Sequence, residues 1–155
     1  MKVLKISNTY FDTFPPDKYE LLSNESGGKQ RPYVVILTLK YKNALRIFAI
    51  PFRSNISNKV PLFDYFPLPP RPTTKQYHKH GLHYTKMFPV KKGYFQKYHI
   101  NDKDNYTLIL MGYIGTNEVE IVEKAQAYLD RYEKGDRSEF ASKIDEIISI
   151  LDEIM

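Results

Sequence analysis

The stretch YVVILTLKYKNALRIFAIP, from Tyr33 to Pro51, is where the chain commits to a sheet. It divides into two β-rich segments around a tight turn at Lys42–Ala44, the pattern of a hairpin. The first segment is almost wholly apolar, which predicts a strand buried on both faces. The second changes character abruptly. Ile47, Phe48, Ala49 and Ile50 meet Pro51, and Arg53, Ser54 and Asn55 follow directly. The proline is expected to end the core strand and to leave a guanidinium, a hydroxyl and an amide together at its tip.

Outward from the hairpin, KVLKIS (2–7) reads as a first strand, followed by a turn-rich stretch through DTFPPD. LLSNESGGKQRP (21–32) reads as a loop closed by Pro32. Residues 59–76, KVPLFDYFPLPPRPTTKQ, carry five prolines and cannot form a regular helix or a central strand. An ordered loop is expected, with Leu62, Phe63, Tyr65 and Phe66 as packing material. LHYTKMFPV (82–90) and NYTLILMGYI (105–114) read as further strands. From Asn117 the period changes. Val119, Val122, Ala125, Ala127 and Leu129 trace one helical stripe, and after Gly135–Asp136 a second runs through Phe140, Ile144, Ile147, Ile148 and Leu151. Asn117 and Ser138 are the expected N-caps, the first with Glu120 as a capping-box partner. No internal repeat is visible. The expectation is one domain over residues 1–155, of α+β class, with an antiparallel sheet and a C-terminal helical layer.

Charge is unevenly spread. Residues 1–116 hold 18 Lys/Arg against 7 Asp/Glu, a net +11, whereas residues 117–155 hold 5 against 11, a net −6. Between Lys29 and His99 there are 14 Lys/Arg and one acid, Asp64, and all four histidines fall there. Such a block repels itself unless an anion sits on it. Tyr33, Tyr41, Tyr65, Tyr77, Tyr84, Tyr94 and Tyr98 are interleaved with it, so phosphate-binding charge and stackable rings occur together. That combination fits single-stranded or irregular RNA. The chain has no cysteine, which excludes disulfides and thiol chemistry. It has no apolar run of membrane-spanning length and no evident secretory signal, so a cytoplasmic protein is expected.

Cleaving RNA through its own 2′-OH requires a proton acceptor, a proton donor for the leaving 5′-oxygen, and donors to the phosphorane. Arg53, Ser54 and Asn55 offer fixed donors. GGKQRP (27–32) resembles an anion-binding turn, with Lys29 and Arg31 as phosphate clamps, and it matches no Walker pattern. In KQYHKHGLHYTK (75–86), His78 and His80 would share one face of an extended segment. With no cysteine, no nearby acid and positive charge on both sides, that pair is a poor metal site, and neither metal nor cofactor is expected. Proton transfer suits it better, with His80 preferred because Gly81 would let the backbone approach phosphate closely. The RNA-facing set is Arg31, Tyr33, Asn55, Arg71, Lys75, Tyr77, His78, Lys79, His83 and Lys86. A non-catalytic RNA-binding protein and a DNA-binding accessory protein are the competing readings.

The segments KQRPYVVIL, FAIPFRSNIS and LPPRPTTKQYHKHGLHYTKMFPV resemble the toxins of type III toxin–antitoxin systems, the ToxN/AbiQ and CptN group, with the CptN branch most similar. The resemblance covers roughly residues 1–150. It rests on the proline before the long strand, the P-x-x-S turn (Pro51, Ser54) and the helical C-terminus. It implies a strongly bent sheet of SH3-like barrel type related to MazF and Kid. It also implies a metal-independent endoribonuclease of phage defence that leaves a 2′,3′-cyclic phosphate and a 5′-OH. Its partners would be cellular RNA and a repetitive, pseudoknotted RNA antitoxin that it processes and that inhibits it within a protein–RNA hetero-oligomer. The family's key serine falls on Ser54, which would orient the scissile phosphate, and its basic residue on Lys29 or Arg31. Tyr33 stands where relatives can carry lysine. The catalytic set expected is Ser54, Arg53, Lys29 and His80.

Overall fold

The computed structural model describes residues 1–22, 34–98 and 104–154, and the backbone alone of 25–26 and 29–30. Strand β1 (Lys2–Ile6) leads into two short helices, α1 (Asn8–Thr13) and α2 (Pro16–Tyr19), and then a two-residue pair, β2 (Glu25–Ser26) and β3 (Lys29–Gln30). The predicted hairpin is β4 (Val34–Tyr41) and β5 (Ala44–Ser57). After it come β6 (Tyr65–Leu68), β7 (His78–His83), β8 (Phe88–Pro89) and β9 (Phe95–Gln96). Helices α3 (Asn105–Thr116), α4 (Glu118–Glu133) and α5 (Ile144–Glu153) complete the chain.

The main sheet has seven antiparallel strands in the order β6-β7-β5-β4-β1-β9, with β8 also beside β5. The hairpin is therefore its centre. Its turn is the two residues Lys42 and Asn43, with φ of 50° and 63°. Two consecutive positive φ values mark the turn whose twist matches that of the flanking strands. β4 divides its side chains between two cores. Val35, Leu37, Leu39 and Tyr41 pack with Phe48, Ile50, Leu82 and the α3–α4 residues Leu110, Ile121 and Leu129. Val34 and Ile36 pack with Tyr10, Phe14, Tyr19, Phe88 and Leu151. The both-faces-buried expectation holds where helices cover the strand; Thr38 and Lys40 near its end are exposed. There β4 runs past its neighbour β1 and α4 takes the vacated side: Gln126 accepts from Lys40 N at 2.9 Å and donates to Lys40 O at 2.8 Å, so a side-chain amide satisfies backbone groups that a strand would otherwise pair.

Several expectations are corrected. NYTLILMGYI is helix α3, not a strand. Asp104 caps it, accepting from Tyr106 N at 3.1 Å and Thr107 N at 3.4 Å, and an apolar run buried on one side reads alike in either period. The turn-rich N-terminal stretch folds as α1 and α2, with Pro16 at the first turn of α2. The proline-rich segment includes an edge strand, β6, where Pro67 is tolerated; Tyr65 and Phe66 are buried there, whereas Leu62 and Phe63 are exposed. Asn117 does precede α4, but its side chain donates to Tyr113 O instead of capping, and Glu120 pairs with Lys124. The last helix begins at Ile144 and not after Ser138, and Phe140 lies outside it, exposed. Among the described residues the sheet is open, ending at β6 and β9, where a closed barrel was expected. No helix among them is long and apolar enough to cross a membrane.

Candidate functional site

β5 builds the site because it changes partner along its length. From Ala44 to Pro51 it pairs with β4, and from Phe52 to Ser57 with β7. Pro51 stands at the changeover, opposite Val34. Lacking an N–H, it cannot donate to a neighbouring strand, and β5 continues through it to Ser57. The expected strand terminus therefore lies inside a strand. Just beyond it the register slips, with Arg53 opposite Gly81 and Ile56 opposite Lys79. Ser54 and Asn55 together therefore oppose His80, as a β-bulge. A bulge bends the strand and re-aims the side chains it carries.

Arg53 is half-buried, and its Nη1 lies 3.4 Å from Nδ1 of His83. Burial lowers the pKa of Arg53, yet a guanidinium remains charged in a protein. Asn55 accepts from Lys75 N through Oδ1 at 2.8 Å and donates from Nδ2 to Ser54 Oγ at 3.4 Å. The amide thereby ties the bulge hydroxyl to the loop that leads into β7.

His80 is 2% exposed. Its Nδ1 lies 2.9 Å from both Pro69 O and the Tyr106 hydroxyl, and that hydroxyl donates to Pro69 O at 2.7 Å. A carbonyl only accepts, so this pattern assigns the proton to Nδ1 and makes Nε2 the acceptor of the neutral ring. Burial pushes the His80 pKa down, against the raising effect of the Pro69 bond and with the help of Arg71. Near neutral pH the ring is poised to accept a proton and not to donate one. The guanidinium of Arg71 lies over the Tyr106 ring, 5.3 Å from its centroid.

Other expected site residues have different surroundings. Lys86 is buried, and its ammonium donates to Phe140 O at 2.6 Å, Glu20 O at 3.1 Å and Glu20 Oε2 at 3.3 Å. Its ammonium clips three backbone and side-chain oxygens of distant segments together instead of standing open to solvent. Burial lowers its pKa, Glu20 counteracts this, and Arg53 adds a smaller lowering. His83 is also buried, at 3% exposure, so it is no open RNA contact either. Gly81 has a structural cause: a Cβ there would lie 2.6 Å from the backbone oxygen of Phe66. The glycine lets β6 approach β7, a reason that has nothing to do with phosphate. Lys75, Tyr77 and Lys79 are exposed and His78 is half-buried. The side chain of Lys29 and the whole of Arg31 and Tyr33 lie outside the described residues. Sequence reasoning missed Tyr106 and Pro69, which hold His80. The Asp104 cap signal, three residues before Thr107, was the clue that would have turned α3 toward the site.

Ion pairs hold part of the acidic tail against the hairpin. Lys42 meets Asp145 at 2.9 Å, and Arg46 grips Asp152 with two bonds of 2.9 and 2.8 Å, so tail acids gather at the hairpin turn. Among the described residues, Lys59, Lys75 and Lys79 meet no carboxylate within 4.0 Å, and all three border the β5–β7 ladder. No group of three or more His, Cys, Asp or Glu among the described residues is placed to hold a metal ion. Arg53, Ser54 and His80 occupy neighbouring positions of the β5–β7 ladder, a guanidinium, a hydroxyl and an imidazole that could together contact an anion.

No protein-family model and no curated protein matches the chain. Two solved structures share its fold. One, described as "A processed non-coding RNA regulates a bacterial antiviral system", superposes with a TM-score of 0.77 at 14% identity, over 99% of both chains. The other, "New insights into the mechanism of bacterial Type III toxin-antitoxin systems: selective toxin inhibition by a non-coding RNA pseudoknot", gives 0.57 at 15% identity, over 98% of this chain and 96% of that one. At these identities the likeness carries the fold.

Proposed function

We propose that this protein is a metal-independent endoribonuclease toxin of the type III kind, nearest the CptN branch. It would cleave cellular RNA and be held inactive by a repeat RNA antitoxin in a protein–RNA hetero-oligomer. The observation that carries the reading is the β5 bulge, which sets Ser54 and Asn55 beside Arg53 and opposite His80 at the cation-rich end of the sheet. The fold shared with the two RNA-related structures supports it.

In the proposed reaction the ribose 2′-oxygen attacks the adjoining phosphorus and the P–O5′ bond breaks, leaving a 2′,3′-cyclic phosphate and a 5′-OH. The attacking hydroxyl gives up one proton and the leaving oxygen takes one up, so no water is consumed. Arg53 serves the phosphoryl oxygens as a charged fork, and the Ser54 hydroxyl orients them. His80, neutral with Nε2 as acceptor, suits the first proton transfer, and Lys29 or another cation the second. The burial of His80 favours a second reading, a non-catalytic RNA-binding protein using the same cations.

One experiment separates the two: incubate the purified protein with mixed RNA and map both ends of the products. Cyclic phosphate and 5′-OH ends are expected, with Ser54→Ala slowing cleavage about 10²–10³-fold, the usual loss for one oriented donor. RNA binding and thermal stability should be retained in that variant. Wild-type rates in Ser54→Ala would overturn the assignment of Ser54. Intact RNA throughout would favour the binding module.

A further inference from the structure

The tyrosines interleaved with the basic block do not share one fate. Tyr41, Tyr65 and Tyr84 are buried, Tyr94 and Tyr98 are half-buried, and Tyr33 lies outside the described residues. Tyr77 alone is turned outward, at 74% exposure, the most exposed aromatic ring among the described residues. Its backbone is left-handed, with φ of 65°, a conformation that disfavours a side chain with a β-carbon. Folding gains little from a large ring there, since glycine would relieve the strain and little burial would be lost.

The turn that displays this ring is wired to the bulge. His78 N donates to Lys75 O at 3.0 Å, Lys75 N donates to Asn55 Oδ1 at 2.8 Å, and Asn55 continues to Ser54 Oγ. Exposed ammonium groups, Lys75 and Lys79, flank the ring in sequence. An outward-facing ring with a lysine two residues to either side, on a turn hydrogen-bonded to Asn55 of the bulge, matches the chemistry of an unpaired base: a π-face for stacking, with cations near for its phosphates.

We propose that Tyr77 is a stacking platform for one unpaired nucleobase of the bound RNA, and that it sets which phosphate reaches Ser54 and Arg53. This rests on the RNA-cleaving reading above and deepens it: the substrate must be single-stranded, or locally unstacked, at the platform. Duplex RNA cannot offer such a base.

The chain has no tryptophan, so Tyr77→Trp creates a single fluorescent reporter. The probe is a short mixed-sequence single-stranded RNA with 2′-O-methyl riboses, which cannot be consumed. The indole emission of this variant is expected to be quenched by the single strand and unchanged by the same sequence as a blunt duplex. Tyr77→Ala should weaken binding of the single strand roughly 5–150-fold, the range of one base–aromatic stack, and Tyr77→Phe should bind like wild type. Tyr77→Gly should lose the same affinity yet melt at a higher temperature. Binding by Tyr77→Ala within about twofold of wild type, or equal quenching by the duplex, would overturn the platform while leaving the proposed function intact. Failure of the wild-type chain to bind either RNA would overturn both.

Discussion

Gly81→Ala is the sharpest test of how the site is assembled. The added methyl would lie 2.6 Å from the Phe66 carbonyl oxygen, 3.0 Å from a Tyr65 ring carbon and 3.3 Å from Ile56 Cδ1. The first neighbour is backbone, so relief requires β6 to move away from β7, against a four-pair ladder running from Tyr65↔His83 to Leu68↔His80. Overpacking of this kind costs about 1–3 kcal/mol. For a chain of this size each kcal/mol lowers Tm by roughly 2–4 °C, so a drop of about 2–12 °C is expected by calorimetry. Displacing β6 also shifts Pro69, just beyond its end, and with it the carbonyl that holds both His80 and Tyr106. Cleavage should therefore fall together with stability. Gly93→Ala is the control, because a Cβ there meets nothing within 4 Å. An unchanged Tm for Gly81→Ala would refute the packing argument. If RNA affinity alone collapsed, the glycine would instead be serving close approach of a phosphate.

Two further predictions concern the buried cations and the imidazole. Lys86→Met should lower stability by about 1.5–3 kcal/mol, the worth of hydrogen bonds from a charged donor, and leave RNA affinity of the folded protein unchanged; an affinity loss with unchanged Tm would restore Lys86 as a phosphate contact. For His80, burial holds the folded pKa below the ordinary ~6.5, so between those values the unfolded chain binds the extra proton and the folded chain does not. Stability should be fully present above about pH 6.5 and fall as the solution is acidified through the folded pKa, and His80→Gln should flatten that slope in urea titrations. An unchanged slope would place the proton elsewhere.

The hairpin was legible in the sequence because β-branched runs flanking Lys42–Asn43 leave few alternatives; α4 was legible as a helix, but its buried face is Ile121, Ala125, Tyr128, Leu129 and Tyr132, with Val119 and Ala127 of the expected stripe exposed. α3 was not legible. Its apolar residues lie on several sides, with Leu110 and Ile114 buried but Leu108 and Ile109 exposed, so no period marks it as helical. The cost of that misreading fell on the site, because Tyr106 could not be placed beside His80. Pro51 was read as the end of the core strand, whereas β5 runs on through it to Ser57, because a long strand can take up a further partner that local sequence does not record. The bulge is invisible for the same reason: it exists only as a mismatch in count between β5 and β7. Arg53, Ser54 and Asn55 were singled out by their chemistry and share the β5 bulge region, whereas Lys86 and His83, equally polar, are buried.

The charge asymmetry along the chain has a spatial meaning that stability alone does not explain. Exposed ion pairs such as Lys42–Asp145 contribute roughly 0–1 kcal/mol, too little to account for drawing the tail acids together. Their larger effect is on where positive potential remains. Lys59, Lys75 and Lys79, which meet no carboxylate, leave the β5–β7 end able to draw a polyanion, with a range set by the Debye length of ~8 Å at physiological salt. Such steering treats RNA and DNA alike. Discrimination in the proposed reaction must come at the bulge, where Ser54, Arg53 and His80 meet one phosphate and only a ribose supplies the attacking 2′-oxygen. A DNA strand would then be held by the same cations with comparable salt dependence and remain uncut, so attraction and selection belong to separate groups on one edge of the sheet.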